Sequence, residues 1–422
     1  MGRSEVFHVG LGGFGVLIVS ARVGTSPEAI PYSFVFDEVV RLAKRGVEVH
    51  VVRLDPEKSE WYCLSHDVHF HSIKPRVNLR VMDALICSLM RSLPLGVFRN
   101  LSNMYLESYY AMHAAELLRA LDLVHAHFAY PEGLVGYLAS VKVGKPLIIT
   151  VHGYDILTEP SIGDGVRLSK RYDFLVRKVL NAADAVICNS RALYREVRKV
   201  VKSKDKVHLI FNGVDLERFN PNVDPLEARR RLGLPLDRFL VFTVRHHAPI
   251  YGIEYMIRAV PYVVSRKGDV LFVVGGEGSQ RRYHEELAKG LGVSDRIIFT
   301  GAIPRALLHL YYAACDVVVV PSLQEAWGLV VTEALASGRP VIGSNVGGIR
   351  DQIIDGFNGF LVPPRDSQAI AERILYFIDS PSEARRMGMN GRRLAEERFD
   401  IDKRISRVIR LYERVLSERG DR

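Results

Sequence analysis

A chain of 422 residues is too long for one ordinary core, so two domains of roughly 200 residues each are expected. With 48% hydrophobic and 25% charged residues, the composition is that of a globular protein and argues against a disordered or fibrous chain. The net charge of +9 divides into +6 for residues 1–206 and +3 for the remainder, too diffuse for a nucleic-acid footprint but suited to an anionic small ligand or an acidic membrane surface.

The chain opens with "GLGGFG" (10–15), which formally matches G-x-G-x-x-G. A dinucleotide fingerprint follows a strand and opens a helix, whereas Gly10, Gly12 and Gly15 precede the apolar run "VLIVS", so the match is a decoy. The segment from Val6 to Val19 lacks the basic start and cleavage site of a signal peptide, and no apolar run reaches spanning length. A cytoplasmic protein without a transmembrane helix is expected.

"GVLIVSA" (15–21) reads as a strand, "YSFVFDEVVRLAKRG" (32–46) as a helix closed by Gly46, and "VEVHVVRL" (47–54) as the next strand. "LVHAHF" (123–128), "PLIITVHG" (146–153), "AVICNS" (185–190) and "VHLIFNG" (207–213) follow, with helical segments between them. His69/His71 and His125/His127 form H-x-H pairs that could chelate a metal from one strand face, but no acidic or cysteine cluster accompanies either pair in the sequence. No metal is expected. Cys63, Cys87, Cys188 and Cys315 lie far apart with no C-x-x-C pair, against a disulfide framework or a zinc ribbon. Residues 76–121 are helical in pattern and carry Arg76, Arg80, Arg91 and Arg99. They could dock a membrane or a lipid-linked acceptor, or simply form a layer over the sheet, and the second is preferred.

The second half restarts the rhythm with "FLVFTVR" (239–245), "VLFVVGG" (270–276), "RIIFTG" (296–301), "DVVVVPS" (316–322), "PVIGSN" (340–345) and "GFLVPP" (359–364). Strand–helix repetition implies doubly wound parallel sheets, which bind ligands beyond the carboxyl ends of their strands. The join falls near "FNGVDLERFNPNVDP" (211–225), dividing the chain into 1–215 and 216–399. Residues 400–422 are assigned to the first domain, and Ile401, Ile405, Val408, Tyr412 and Val415 make one helical face there.

"SLQEAWGLVVTEALASGRPV" (322–341) sets Glu325 and Glu333 eight positions apart. A helix starting near Trp327–Gly328 and stopping at Gly338 would aim its free amides, around Gly328, Leu329 and Val330, at an anion. At about 1.5 Å rise per residue, the carboxylates should stand on the order of 8–12 Å apart. One could then reach a ribose and the other a sugar, with a diphosphate between them.

The segment 321–364, with its E-x7-E spacing, resembles the donor-binding segment of the family-4 retaining glycosyltransferases of GT-B fold. The likeness extends through "HGYD" (152–155), "ADAVICNS" (183–190), "NGVDLERF" (212–219), "VGGEGSQ" (274–280) and "FTGAIP" (299–304), in order along nearly the whole chain. It implies two Rossmann-like α/β domains facing a central cleft, with the C-terminal helix returning to the first. It also implies Glu333 on the ribose, Glu325 on donor-sugar hydroxyls, and the Gly328–Val330 amides on sugar and phosphate. His152 would face the donor sugar, Arg245 would neutralise the diphosphate, and the backbone around Gly301–Ile303 would pack on the base. Two departures stand out: Tyr251 occupies the position where relatives carry a Lys, and "GTSPEAIPYSF" (24–34) replaces their Gly-Gly loop. Either His246 or His247 supplies the missing charge, or neither does.

The expected reaction moves a hexose-type sugar from a UDP- or GDP-sugar to a glycan, lipid-linked or small-molecule acceptor, without a cofactor or metal. A peripheral membrane contact is compatible with it. A sugar-nucleotide epimerase of similar fold and a nucleotide-sugar-binding protein impaired in catalysis are the alternatives. A glycoside hydrolase fits less well, because its neutral substrate would place nothing on the helix N-terminus.

Overall fold

The computed structural model describes residues 13–21, 23, 33–54, 61–74 and 101–420. Two sheets organise them. The first has the order β3-β4-β2-β1-β5-β6-β7-β8. Its strands are β1 (Gly15–Ser20), β2 (Glu48–Arg53), β3 (Trp61–Ser65), β4 (Val68–Ser72), β5 (Leu123–His127), β6 (Leu147–Val151), β7 (Ala185–Cys188) and β8 (Val207–Leu209). All pairs are parallel except β3 with β4. Burial on both faces explains why the central strands read as continuous apolar runs.

The second sheet has the order β11-β10-β9-β12-β13-β14 and is wholly parallel. It comprises β9 (Phe239–Val244), β10 (Val270–Gly275), β11 (Ile297–Gly301), β12 (Val317–Val320), β13 (Val341–Ser344) and β14 (Gly359–Val362). Every strand expected from the sequence is present; the β3–β4 hairpin is an addition at the edge.

The chain passes between the two cores twice, side by side. Val214 N–H donates to Phe399 O at 2.7 Å and Ile401 N–H to Val214 O at 3.2 Å. Gly213 is required at this crossing, because a Cβ there would lie 2.3 Å from Ile401 Cα. Beyond it the helix Ile401–Gly420 returns to the first sheet, burying Ile401, Ile405, Val408, Leu411, Tyr412 and Val415 with Val16, Ile18, Val49 and Phe70.

The helix Leu101–Leu118 packs Tyr109, Tyr110, Ala114 and Leu118 onto the opposite face, as a layer over the sheet. Arg76, Arg80, Arg91 and Arg99, Cys87 and most of the 24–34 loop lie outside the described residues. Cys63, Cys188 and Cys315 are free thiols. Among the described residues no helix is long and apolar enough to cross a membrane.

Candidate active site

The carboxyl ends of the two sheets face each other across a cavity of about 440 Å³. Phe34, Phe128, His152, Asp164, Asn189 and Asn212 line one wall; Arg245, Tyr251 and the stretch from Gln324 to Leu329 line the other. The walls touch. Gln324 Nε2 donates to Thr158 O at 3.0 Å, Arg191 pairs with Asp351 at 3.0 Å, and a Cβ on Gly153 (φ +134°) would lie 2.6 Å from that of Ala326.

Arg245 follows β9 directly, and its guanidinium stands 5.3 Å from the centroid of the Tyr251 ring. Its Nη2 is 2.9 Å from Glu325 Oε2, an ion pair whose alignment leaves Nε and Nη2 without a well-formed hydrogen bond among the described residues. A buried guanidinium held this way keeps donors for an anion. Tyr251 therefore supplies a ring beneath the arginine rather than the charge of a lysine.

Glu325 sits in the loop between β12 and the helix Leu329–Ala336. A neighbouring turn holds that loop: Gly348 N–H donates to Glu325 O at 2.9 Å. At Gly347 (φ +45°) a Cβ would stand 1.8 Å from the same oxygen. The helix begins at Gly328 (φ +84°) with no side-chain cap; Val331 N–H closes on Gly328 O at 3.0 Å, which leaves the amides before it at the cavity wall. Gly328 and Leu329 line the cavity, whereas the Val330 side chain is buried in the second core.

Glu333 lies one recess away. That recess shares Phe34, Asn212 and Leu329 with the main cavity and adds Asp37, Arg305 and Arg404. Tyr312 donates its hydroxyl to Glu333 Oε2 at 2.7 Å. Burial pushes the Glu333 carboxyl up to about 7, against the Tyr312 hydrogen bond and the charges of Arg305, Arg218 and Arg245. Arg305 forms an ion pair with Asp37 across the domains. Gly301 ends β11, but neither it nor Ile303, which packs in the core against Gly275, lines either recess.

In the first wall, Asp155 shapes the turn after β6. Its carboxylate accepts from Ala129 N–H at 2.7 Å, Gly153 N–H at 2.9 Å and His152 N–H at 3.2 Å. His152 is thereby fixed between Phe34 and Phe128, with ring centroids at 4.8 and 4.6 Å. Asn189 is buried with its Oδ1 unpartnered among the described residues, and it faces the cavity. Asn189, Asn212, Asp164, Asp37 and Arg305 are site residues that sequence reasoning did not single out. The asparagines stood inside recognised segments, "NS" and "NG", yet nothing in those segments shows that they converge.

Two expectations need correction. His247 cannot replace the missing lysine charge, since it is buried against His284 at 2.9 Å. Burial, then Arg281, pushes it down to about 4. The His125/His127 pair does have a carboxylate beside it. Glu38 Oε1, from the helix Ser33–Lys44, lies 3.9 Å from His125 and 3.8 Å from His127. The two segments are far apart in sequence, which hid the cluster. Arg404 already occupies Glu38 Oε2 at 2.6 Å, and His125 Nδ1 is 2.6 Å from the Tyr412 hydroxyl, so the carboxylate has its cation.

Known proteins resemble both halves of the chain. The description "Glycosyltransferase Family 4" matches residues 33–218, and "Glycosyl transferases group 1" matches residues 225–394. The D-inositol 3-phosphate glycosyltransferase of Xylanimonas cellulosilytica is 31% identical over 349 residues, 78% of this chain and 82% of that protein. Its namesake from Thermomonospora curvata is 29% identical over 406 residues, 90% and 89% of the two chains. Among solved structures, sucrose-phosphate synthase from Thermosynechococcus elongatus superposes with a TM-score of 0.78 at 24% identity, covering 96% of this chain and all of the other. Anabaena HepE, solved with UDP and glucose, gives 0.74 at 21% identity, with 95% and 99% covered.

Proposed function

Since the chain belongs to glycosyltransferase family 4 and is a glycosyltransferase of the two-domain GT-B fold, we propose that it transfers a hexose-type sugar from a UDP- or GDP-sugar with retention of configuration. The acceptor is a glycan, a lipid-linked sugar or a small polyol; the inositol phosphate named for the relatives falls in the last class. One observation carries this reading. Arg245 with unspent donors, an uncapped helix N-terminus and Glu325 line one cavity, and Glu333 lines the recess beside it.

A nucleotide diphosphate sugar has matching parts. Glu333 accepts from the ribose hydroxyls in its recess. The diphosphate takes the amides at Gly328–Val330 and displaces Glu325 from Arg245. The released Glu325 accepts from sugar hydroxyls near the reacting carbon, opposite His152. As the bond to the anomeric carbon breaks, negative charge grows on the leaving diphosphate, and the fixed amides and Arg245 meet it without reorganisation. That charge supply is the reason to expect no metal requirement. Front-face attack by the acceptor within an ion pair gives retention without assigning Glu325 as nucleophile.

The test is a calorimetric titration with UDP and with GDP, followed by turnover with the UDP- or GDP-sugars of the preferred base and NMR of the product's anomeric proton. Binding of neither nucleotide, or an inverted product, would sink the proposal. Epimerised donor without transfer would favour the epimerase alternative.

A further inference from the structure

Behind His152 lies a line of buried polar groups that the transfer chemistry leaves without a task. Glu38 is buried in the first core, and Arg404 of the C-terminal helix donates from Nη2 to Glu38 Oε2 at 2.6 Å. Arg404 Nη1 is anchored on Ile210 O at 3.1 Å. The second Glu38 oxygen, Oε1, has no hydrogen-bond partner among the described residues and faces His127 Nε2 at 3.8 Å, which also has none. On the other edge of the ring, His127 Nδ1 is 3.0 Å from His152 Nε2, and the two imidazoles lie within 18° of parallel.

Proton bookkeeping decides the direction. A neutral imidazole carries one N–H and one lone pair, and an ion-paired carboxylate can only accept. At 3.8 Å no full hydrogen bond joins Glu38 to His127. In a buried setting the carboxylate's field still favours the N–H form of the nitrogen that faces it. His127 Nδ1 then holds the lone pair and accepts from His152 Nε2–H. Nδ1 of His152 is left unprotonated. Burial keeps both rings neutral, holding His127 at about 4 and His152 well below the ordinary histidine value. His125 does not compete for Glu38, because its nitrogens meet the hydroxyls of Tyr412 at 2.6 Å and Thr150 at 2.7 Å. A cation held by Glu38, His125 and His127 would sit beside the Arg404 guanidinium and be repelled by it.

We propose that Arg404, Glu38 and His127 are positioning residues that fix His152 as its Nε2–H tautomer, so that Nδ1 accepts from a hydroxyl of the bound sugar. This deepens the transferase reading and rests on His152 facing the donor sugar. It also gives the C-terminal helix a part in the chemistry, since Arg404 arrives just after the second crossing between the domains.

Long-range proton–nitrogen correlation NMR on the full-length protein, labelled with ¹⁵N-histidine, reads the tautomers without altering the network. His127→Asn and His152→Asn proteins assign the signals. His127 and His152 should both be Nε2–H; an Nδ1–H or doubly protonated His152 overturns the proposal. Adding UDP-glucose should move the His152 Nδ1 signal. An unmoved signal with the tautomers as expected would count against His152 facing that sugar, not against the relay. In Glu38→Gln the amide can donate to His127 Nε2 and reverse both tautomers. Turnover should fall by about 10–100-fold. Glu38→Asp, which restores an acceptor, should recover part of the turnover. A Glu38→Gln enzyme with native turnover and a reversed tautomer would overturn the proposal, and if that variant fails to fold the native spectrum decides alone.

Discussion

The two walls of the cleft are built differently. The second-domain wall is compact in sequence and charged: Glu325, the helix N-terminus and Glu333 come from one short segment, with Arg245 added from the end of β9. The first-domain wall is dispersed and mostly uncharged. Phe34 comes from the first turn of the helix Ser33–Lys44, and Phe128, His152, Asn189 and Asn212 from loops; Asp164 is its one acid on the main cavity among the described residues, while Asp37 and the ion pair of Glu38 with Arg404 lie at the recess beside it. Charge that must meet a diphosphate has to be fixed and exposed to the cavity. Groups that orient a sugar can be neutral, provided that hidden partners hold them.

The largest effect should therefore come from the charged wall. Arg245→Ala is expected to lower turnover on the order of 10²–10³, because a preorganised charge on the leaving group is lost. Initial rates at saturating donor measure it. If His152→Ala costs as much, the division of labour between the walls fails.

Within that wall the two carboxylates should separate. Glu325→Ala should slow transfer while UDP binds at least as well, since Arg245 loses its internal partner. Glu333→Ala should lose UDP affinity. Calorimetry on both variants sharpens the contrast, and equal losses would contradict it.

Glu333 also predicts a pH dependence. Its carboxyl rises from 4.5 to about 7 on folding, so the folded state favours the protonated acid. Its contribution to stability is greatest below about 4.5 and is lost as pH rises to about 7. Ribose hydroxyls donate best to the ionised form, so UDP affinity should strengthen as pH climbs through about 7, and Glu333→Gln should flatten the curve. A native affinity independent of pH across that range would remove Glu333 from the ribose.

Smaller effects are expected from Tyr251→Phe. The ring that supports Arg245 stays and only one neutral hydroxyl goes, so turnover should change only a few-fold, and less than in Tyr251→Ala. The smallest should come from EDTA. Transfer is expected to persist, because Arg245 and the helix amides carry the charge; loss of activity restored by Mg²⁺ or Mn²⁺ would break that account.

Much of this architecture could be read from the residues alone. Strand and helix periods are local properties, so the strands of both sheets, except the β3–β4 hairpin, and the apolar face of the C-terminal helix stood out. The Glu325–Glu333 segment was legible for the same reason: its loop, helix start and carboxylates lie within one short stretch of chain. The wall opposite was not, because Asn189, Asn212 and Asp164 carry no periodic signal and meet only after the sheets are assembled. Tertiary structure also decided what each group has beside it. It turned Tyr251 into a support for Arg245 and buried His247 against His284. It also brought Glu38 and Arg404, 366 positions apart, to one ion pair behind His152. Partners that distant are chosen by packing, and the electrostatics of a buried group follow from its partners rather than from its neighbours in sequence.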